Sequence, residues 1–244
     1  MSLSVILATA GRVLSQLRRD RRTVVMLLAL PPVLMVLLRY MFDSEQAFSR
    51  VAPPLLGILP FTIMFMVTSV ATLRERRSGT LERLMTMPIG RLDFLLGYGV
   101  AFGLTAVLQV GVVAAVTLTW LGLDVSGALW LMLLVVVLAA LLGTTLGLFV
   151  SAFARTEFQA VQFMPVVVLP QALLCGLFVA RDQMARALEW TSNVLPLTYA
   201  VDAMQRVTVS DGVSGELVRD LAVVAGSSLL ALVFGALTLR RQTR

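Results

Sequence analysis

The sequence contains no lysine and no histidine, and only 14% of its 244 residues are charged. A P-loop needs its lysine, and catalytic triads and zinc sites built on histidine need theirs, so the composition excludes these sites from the chain. The single cysteine, Cys175, lies in an apolar stretch and has no partner for an intrachain disulfide. Hydrophobic residues make up 58% of the chain and the mean hydropathy is +0.90. We therefore expect lipid to be the solvent.

Five uninterrupted apolar stretches, and a shorter one containing Pro31 and Pro32, have lengths suited to crossing a bilayer core. They predict an all-α integral membrane protein with six spans, forming one domain over residues 1–244. The predicted spans are 23–42, 51–73, 94–120, 125–153, 158–180 and 221–239. The proline pair predicts that the first span is kinked or crosses only partly.

Residues 1–22 predict an amphipathic helix at the membrane surface. Arg18, Arg19, Arg21 and Arg22 follow a run of apolar residues with helical spacing. The stripe consists of Leu3, Ile6, Leu7, Val13, Leu14 and Leu17. A cleaved signal peptide is not expected, because the apolar region before the alanines at positions 8 and 10 is too short.

The distribution of arginine between the loops predicts the topology. Fourteen arginines fall in the terminal segments and loops on one side of the membrane, four fall in the loops on the other side, and Arg39 and Arg219 lie at its boundary. Positive residues are retained in the cytoplasm, so both termini are expected there. The net charge of +6 flanks apolar spans rather than forming an aqueous basic surface, and nucleic acid is not an expected partner.

Two G-x-x-x-G spacings, Gly99 to Gly103 and Gly143 to Gly147, predict close helix packing. The packing would lie within one subunit or, less favoured, at a dimer interface.

The loop at residues 74–91 predicts a short amphipathic helix between the second and third spans. Thr80 can cap this helix, Glu82 lies in its first turn, Leu81, Leu84 and Met85 form an apolar stripe, and Pro88 ends it. Gly79 gives a flexible link before the cap. From these residues alone, a surface-lying connector and a docking element for a partner are both open.

The residues of this loop resemble a known family pattern. Glu75, then Gly79, Thr80, Leu81 and Glu82, and the closing Pro88 are similar to the motif of type-2 ABC exporter permeases, including those of the daunorubicin-resistance type. The resemblance extends to the amphipathic N-terminus, the six spans and the long outer segment at 181–220. That segment resembles a family Asn-Pro-Leu-Thr-Tyr-like motif, although Val194 and Leu195 separate Asn193 from Pro196.

The resemblance implies the membrane subunit of an ATP-driven exporter in a bacterial cytoplasmic membrane, with no catalytic site or cofactor of its own. Two copies of a separate cytosolic ATPase, carrying ATP and Mg²⁺, and a second permease copy or paralogue would be its partners. The coupling residues would be Glu75, Gly79, Thr80, Leu81, Glu82, Leu84, Met85 and Pro88. Short outer re-entrant helices would form a gate with Trp190, Asn193, Pro196 and Tyr199, although Trp190 and Tyr199 also suit an interfacial belt.

Glutamine side chains in the predicted spans have two possible roles. Gln109, Gln162 and Gln171 would line a transport path or, as the favoured alternative, form hydrogen bonds between helices. The substrate would be a hydrophobic or amphipathic drug, lipid or glycan.

Two other classes of membrane protein fit the sequence less well. An ion-driven transporter usually keeps a carboxylate or histidine deep in the membrane, whereas here Glu157 and Asp220 come closest and both lie at span ends. An intramembrane protease needs histidine or a pair of intramembrane aspartates, which the spans lack. A structural scaffold would leave the sequence of the loop at 74–91 unexplained.

Overall fold

The computed structural model describes residues 3–42, 44–77, 91–123, 127–209 and 212–238. Within these ranges the chain is helical, without strands, and we number the α-helices in chain order. They are α1 (Leu3–Arg19), α2 (Arg21–Met41), α3 (Glu45–Arg77), α4 (Arg91–Ala115), α5 (Leu129–Ser151), α6 (Glu157–Leu174), α7 (Arg186–Val194), α8 (Pro196–Val209) and α9 (Gly215–Thr238). A π-helical turn, Val116–Trp120, extends α4, and a 3₁₀ turn, Arg181–Gln183, precedes α7.

Six of these helices are long and apolar enough to cross a membrane: α2, α3, α4 with its π-helical turn, α5, α6 and α9. The prediction of an all-α fold with six spans is confirmed. The helix α2 continues through Pro31 and Pro32, and both prolines are buried. A continuous helix of 21 residues spans about 30 Å, so the proline pair does not shorten the first span.

The predicted end of the fifth span was wrong. The helix α6 ends at Leu174, and residues 175–179 follow as an irregular bend rather than as helix to Ala180. Gly176 adopts a φ of 90°, which side-chain-bearing residues rarely adopt. The apolar run therefore continues beyond the end of the helix, because the backbone bends inside this run.

The helix α3 lies at the centre of the bundle and packs most closely against α5. A Cβ atom on Gly143 would come 2.1 Å from the carbonyl oxygen of Phe61, and one on Gly147 would come 2.5 Å from that of Phe65. No side chain fits between these backbones. The second G-x-x-x-G spacing therefore packs helices within one subunit.

The helix α1 packs against α4. A Cβ atom on Gly97 would come 2.6 Å from the Cβ atom of Thr9. The buried face of α1 consists of Ile6, Thr9, Ala10 and Val13. Leu3 and Leu7, which the sequence placed on the same apolar stripe, are 70% and 56% exposed. Small residues, not the leucines, thus make the closest contact.

The two membrane faces of the bundle are defined by the helix ends. The α1 face carries α1, the end of α3, the start of α4, the end of α5 and the start of α6. The opposite face, which we call the α8 face, carries α7, α8 and the start of α9. The spanning helices α2 and α6 bury only a minority of their side chains within the single subunit.

Candidate functional site

The loop with the predicted coupling helix connects the end of α3 to the start of α4. Its residues Gly79, Thr80, Leu81, Glu82, Leu84, Met85 and Pro88 lie outside the described residues, whereas Glu75 lies within them. The site can therefore be built from the side chains that hold the two ends of this loop.

Glu75 is buried at the end of α3 and joins three helices. Its carboxylate forms an ion pair with the guanidinium of Arg12 in α1, and its Oε1 lies 3.5 Å from Nε2 of Gln16. Arg12 also donates a hydrogen bond from Nη2 to the hydroxyl of Tyr98 in α4, at 3.2 Å. Glu75 is only 8% exposed, so loss of its partner would leave a buried charge without compensation. The contact fixes α1 to both helices that flank the loop.

A second group of ionic contacts connects the end of α3 to α6. Arg74 donates from Nε and Nη2 to the two carboxylate oxygens of Glu157, each at 2.9 Å, and its Nη1 lies 3.7 Å from Oδ2 of Asp20. This bidentate geometry is the stronger form of an arginine–carboxylate pair. Glu157 begins α6 and Asp20 separates α1 from α2, so one guanidinium connects three segments of the α1 face.

Arg76, two residues further along, contacts the end of α5. Its Nη1 donates to the carbonyl oxygen of Ser151 at 2.7 Å. Ser151 is the last residue of α5, where carbonyl groups have no partner within the helix. The last turn of α3 therefore contacts α1, α5 and α6 before the loop begins.

Asp20 also caps α2. Its Oδ2 accepts a hydrogen bond from the hydroxyl of Thr23 at 2.7 Å, and its Oδ1 accepts one from the Thr23 backbone N–H at 3.2 Å. These bonds, with the charge of Arg74, hold the pKa of Asp20 below its ordinary value. The break between α1 and α2 thus carries a stable negative charge at neutral pH.

The α8 face contains the predicted gate residues. Pro196 begins α8, where its missing N–H needs no helical partner, and the hydroxyl of Tyr199 donates to the carbonyl oxygen of Asn193 at 2.7 Å. Val194 ends α7 and Leu195 lies between the two helices. The residues that interrupt the family-like motif therefore form the turn between α7 and α8. Trp190, on α7, is 68% exposed.

Charged residues that the sequence did not assign to the gate hold α8 in place. Arg181 pairs with Asp202 at 2.8 Å, and Arg206 pairs with Glu216 and, through Nε at 3.2 Å, with Asp220. Asp220 is fully buried. Burial raises the pKa of Asp202 against the opposing charge of Arg181. The presence of both acidic and basic residues in the segment at 181–220 was the signal for such a cluster.

The three glutamines occupy different environments. Gln109 is buried and its Nε2 donates to the carbonyl oxygen of Leu27 in α2 at 3.0 Å. Gln171 is buried too; its Nε2 donates to the Val167 carbonyl at 3.0 Å, and its Oε1 accepts from the Leu197 N–H at 3.4 Å. These contacts favour hydrogen bonding between helices for both. Gln162 is exposed on α6, and the path-lining role stays a prediction for it.

Comparison with known proteins identifies the family to which this chain belongs. The family described as "ABC-2 type transporter" matches residues 4–208. The chain belongs to the ABC-2 type transporter family. The matched range extends from α1 through α8 and includes both groups of contacts around the loop ends.

Several curated proteins are similar to this chain. The "Probable multidrug ABC transporter permease YbhS" of Escherichia coli K12 is 24% identical over 201 residues, which cover 82% of this chain and 53% of that protein. The "ABC transporter G family member 20" of Dictyostelium discoideum is 26% identical over 184 residues, covering 75% of this chain and 25% of that protein. "Inner membrane transport permease YhhJ" of E. coli K12 is 27% identical over 146 residues, covering 59% and 39%. The ABC-2 chain thus spans about half the length of the first of these relatives.

Proposed function

We propose that this ABC-2 chain is the membrane permease subunit of an ATP-driven exporter, coupled through residues 78–90 to an ATPase on a separate polypeptide. The observation that carries the proposal is the Arg12–Glu75 ion pair with its Tyr98 contact. Because α1, α3 and α4 are joined directly beside the loop, a force on the loop would reach three helices together. The chain itself would perform no covalent chemistry and hold no cofactor.

The orientation of the ABC-2 chain is part of the proposal. The arginine-rich α1 face would lie in the cytoplasm of a bacterial inner membrane, with both termini, and the α8 face outside. Two ATPase copies, carrying ATP and Mg²⁺, would bind a pair of permeases. Exposed apolar residues at the end of α2 nearest the α8 face, Tyr40 and Met41, and Val166 midway along α6 support burial against a second copy or paralogue.

The substrate would be hydrophobic or amphipathic, a drug, lipid or glycan carrier, leaving the cytoplasmic side. The name of the E. coli relative YbhS refers to multidrug transport, which supports the drug class among these. On the α8 face, the hydrogen-bonded turn at Asn193, Pro196 and Tyr199 would form the outer gate.

Purification of the tagged chain in mild detergent, with mass spectrometry and an ATPase assay, tests the proposal. We expect an ABC ATPase to co-purify and to hydrolyse ATP. Glu82→Arg and Leu84→Asp should leave the permease inserted but abolish this association, because they place a wrong charge on the predicted docking helix. Asp182→Arg, a charge reversal at an exposed position in the 3₁₀ turn before α7, is the matched control and should retain it. A chain that purifies alone and inert in several detergents would contradict the proposal.

A further inference from the structure

A groove with a volume of about 700 Å³ lies on the α1 face, lined by α1, α2, α3, α4 and α6. Its inner wall is apolar and includes Leu27, Val67 and Phe102, each less than a tenth exposed. Its outer edges are Met26 on α2 and Phe158 on α6, which are 58% and 71% exposed. Because both helices span the membrane, these edges open toward the acyl chains of the adjacent leaflet.

The end of the groove nearest the membrane surface is charged. Asp20, Arg74 and Glu157 all line it, and their side chains are 39%, 53% and 47% exposed. Half-exposed ion pairs contribute little net stability, so a competing charged group can exchange with one partner at small cost. The cluster offers one guanidinium, which suits phosphate oxygens, beside two carboxylates, which suit an ammonium group.

We propose that this groove binds one zwitterionic phospholipid from the leaflet on the α1 face. One acyl chain would lie along the wall formed by Leu27, Val67 and Phe102. The phosphate would accept hydrogen bonds from Arg74, and the headgroup ammonium would donate to Asp20 and Glu157. An anionic phospholipid lacks the ammonium group and would bring its charge against the two carboxylates. The site therefore selects phosphatidylethanolamine over phosphatidylglycerol, whichever side of the membrane the α1 face occupies.

Tryptophan quenching by brominated lipids tests this selection. Trp120, Trp130 and Trp190 are replaced by phenylalanine, and Phe158→Trp places a reporter at the edge of the groove. The protein is reconstituted in nanodiscs that contain a fixed fraction of either phosphatidylethanolamine or phosphatidylglycerol with brominated acyl chains. We expect the phosphatidylethanolamine form to occupy the site about three-fold more strongly, as expected for one exposed ion pair. Met26→Trp, on the opposite edge, is a second reporter should Phe158→Trp disturb folding.

Variants that remove charge test which side chains cause the preference for phosphatidylethanolamine. In the double variant Asp20→Asn with Glu157→Gln, the occupancy ratio of phosphatidylethanolamine to phosphatidylglycerol should fall to about one, because both acceptors of the ammonium group lose their charge. Asparagine at position 20 still caps α2. Glu45→Gln is the matched control, because it removes an exposed carboxylate paired with an arginine, Arg39, on the opposite face. The Glu45→Gln variant should show the same lipid preference as the parent protein. These experiments need no ATPase or substrate, so they are independent of the proposed export function.

Two outcomes would overturn the proposal. Equal quenching by both lipids in the parent protein would mean non-selective contact with the surrounding bilayer. No quenching of either reporter by either lipid would mean that protein, for example a second copy of the chain, fills or covers the groove.

Discussion

Nε of Arg206 in α8 lies 3.2 Å from Oδ2 of Asp220 in α9, and Asp220 is fully buried. Arg219 approaches the other oxygen of the same carboxylate at 3.0 Å. A carboxylate is retained in a protein interior only when it is paired, because its desolvation is otherwise too costly. These contacts hold α8 against the start of the last spanning helix.

Replacing Asp220 should destabilise the protein strongly. In Asp220→Asn, two guanidinium groups lose their buried partner, and we expect a loss of about 3 kcal/mol in the free energy of unfolding. Glu216→Gln is the matched control: it also removes a carboxylate paired with Arg206, but one that is 64% exposed, and it should cost less than about 1 kcal/mol. Thermal unfolding in detergent measures both. Similar melting temperatures for the two variants would contradict the structural role of the buried pair.

The α3–α5 contact predicts that the same substitution at two glycines has different effects on stability. In Gly143→Ala the new methyl group would come 2.1 Å from the Phe61 carbonyl oxygen, so the helices must separate, at about 3 kcal/mol or more. No described heavy atom beyond the local helix lies within 4 Å of the same position on Gly111. Gly111→Ala should therefore be neutral or stabilise the helix by up to about 1 kcal/mol. Equal destabilisation in a melting experiment would refute the close approach.

The cap of α2 predicts a specific dependence on pH. The pKa of Asp20 is lowered in the folded protein, so its stabilising contribution is complete above the unfolded pKa of about 3.9 and is lost as the pH falls through the folded pKa. Asp20→Ala should cost about 1 kcal/mol at neutral pH. The difference from the parent should shrink below about pH 4.

Melting curves between neutral pH and about pH 2 measure this difference. Asp20→Asn keeps a capping oxygen that does not titrate, so its stability relative to Asp20→Ala should stay constant with pH. A constant difference between the parent and Asp20→Ala throughout this range would show that the carboxylate charge contributes nothing to the cap.

The six spans were predictable because lipid imposes one dominant requirement, a long apolar helix, and the sequence shows it directly. The exceptions have local causes. The end of α6 was placed six residues too late because residues 175–179 are as apolar as the helix before them, and only the backbone conformation of Gly176 reveals the turn. Pro31 and Pro32 do not end α2, so the expectation of a partial crossing was wrong, whereas a kink at this pair stays a prediction.

The contacts around the loop ends could not be predicted, because each depends on residues far apart in the sequence. Arg12 was interpreted only as a marker of topology, yet it pairs with Glu75. Glu157 was recognised as close to the membrane, but its bidentate partner Arg74 comes from another helix. Glu75 itself was identified by its resemblance to a family motif, and no periodicity or spacing in the chain indicates that it is buried.

Substitutions of two glutamines should affect different properties, stability for one and transport for the other. Gln109→Leu removes the hydrogen bond to the Leu27 carbonyl and should cost about 1 kcal/mol of stability. Gln162→Leu is the same change at an exposed position on α6 and should leave the melting temperature unchanged. If Gln162 lines the path, this variant should alter substrate-stimulated ATPase activity of the complex. A lower melting temperature in Gln162→Leu, without a change in activity, would instead assign Gln162 to packing.

Reversing the charge of Glu75, beside the loop, should uncouple the permease from its ATPase. A compensating reversal at Arg12 should restore part of this coupling. Glu75→Arg should destabilise the contact between α1 and α3 by about 3 kcal/mol, because Arg12 then faces a like charge in a largely buried site. ATP hydrolysis by the associated ATPase should no longer respond to substrate. Arg12→Glu combined with Glu75→Arg restores opposite charges and should recover part of both stability and stimulation.

Arg39→Glu combined with Glu45→Arg is the control for this exchange. It reverses an ion pair between α2 and α3 on the opposite face, where Glu45 is 86% exposed, and both properties should be retained. Recovery of stability without recovery of stimulation in the Arg12–Glu75 exchange would mean that the contact only holds α1 in place. Recovery of both would mean that the position of α1 controls the loop, because the exchange restores the contact between α1 and α3 and changes no residue between 78 and 90.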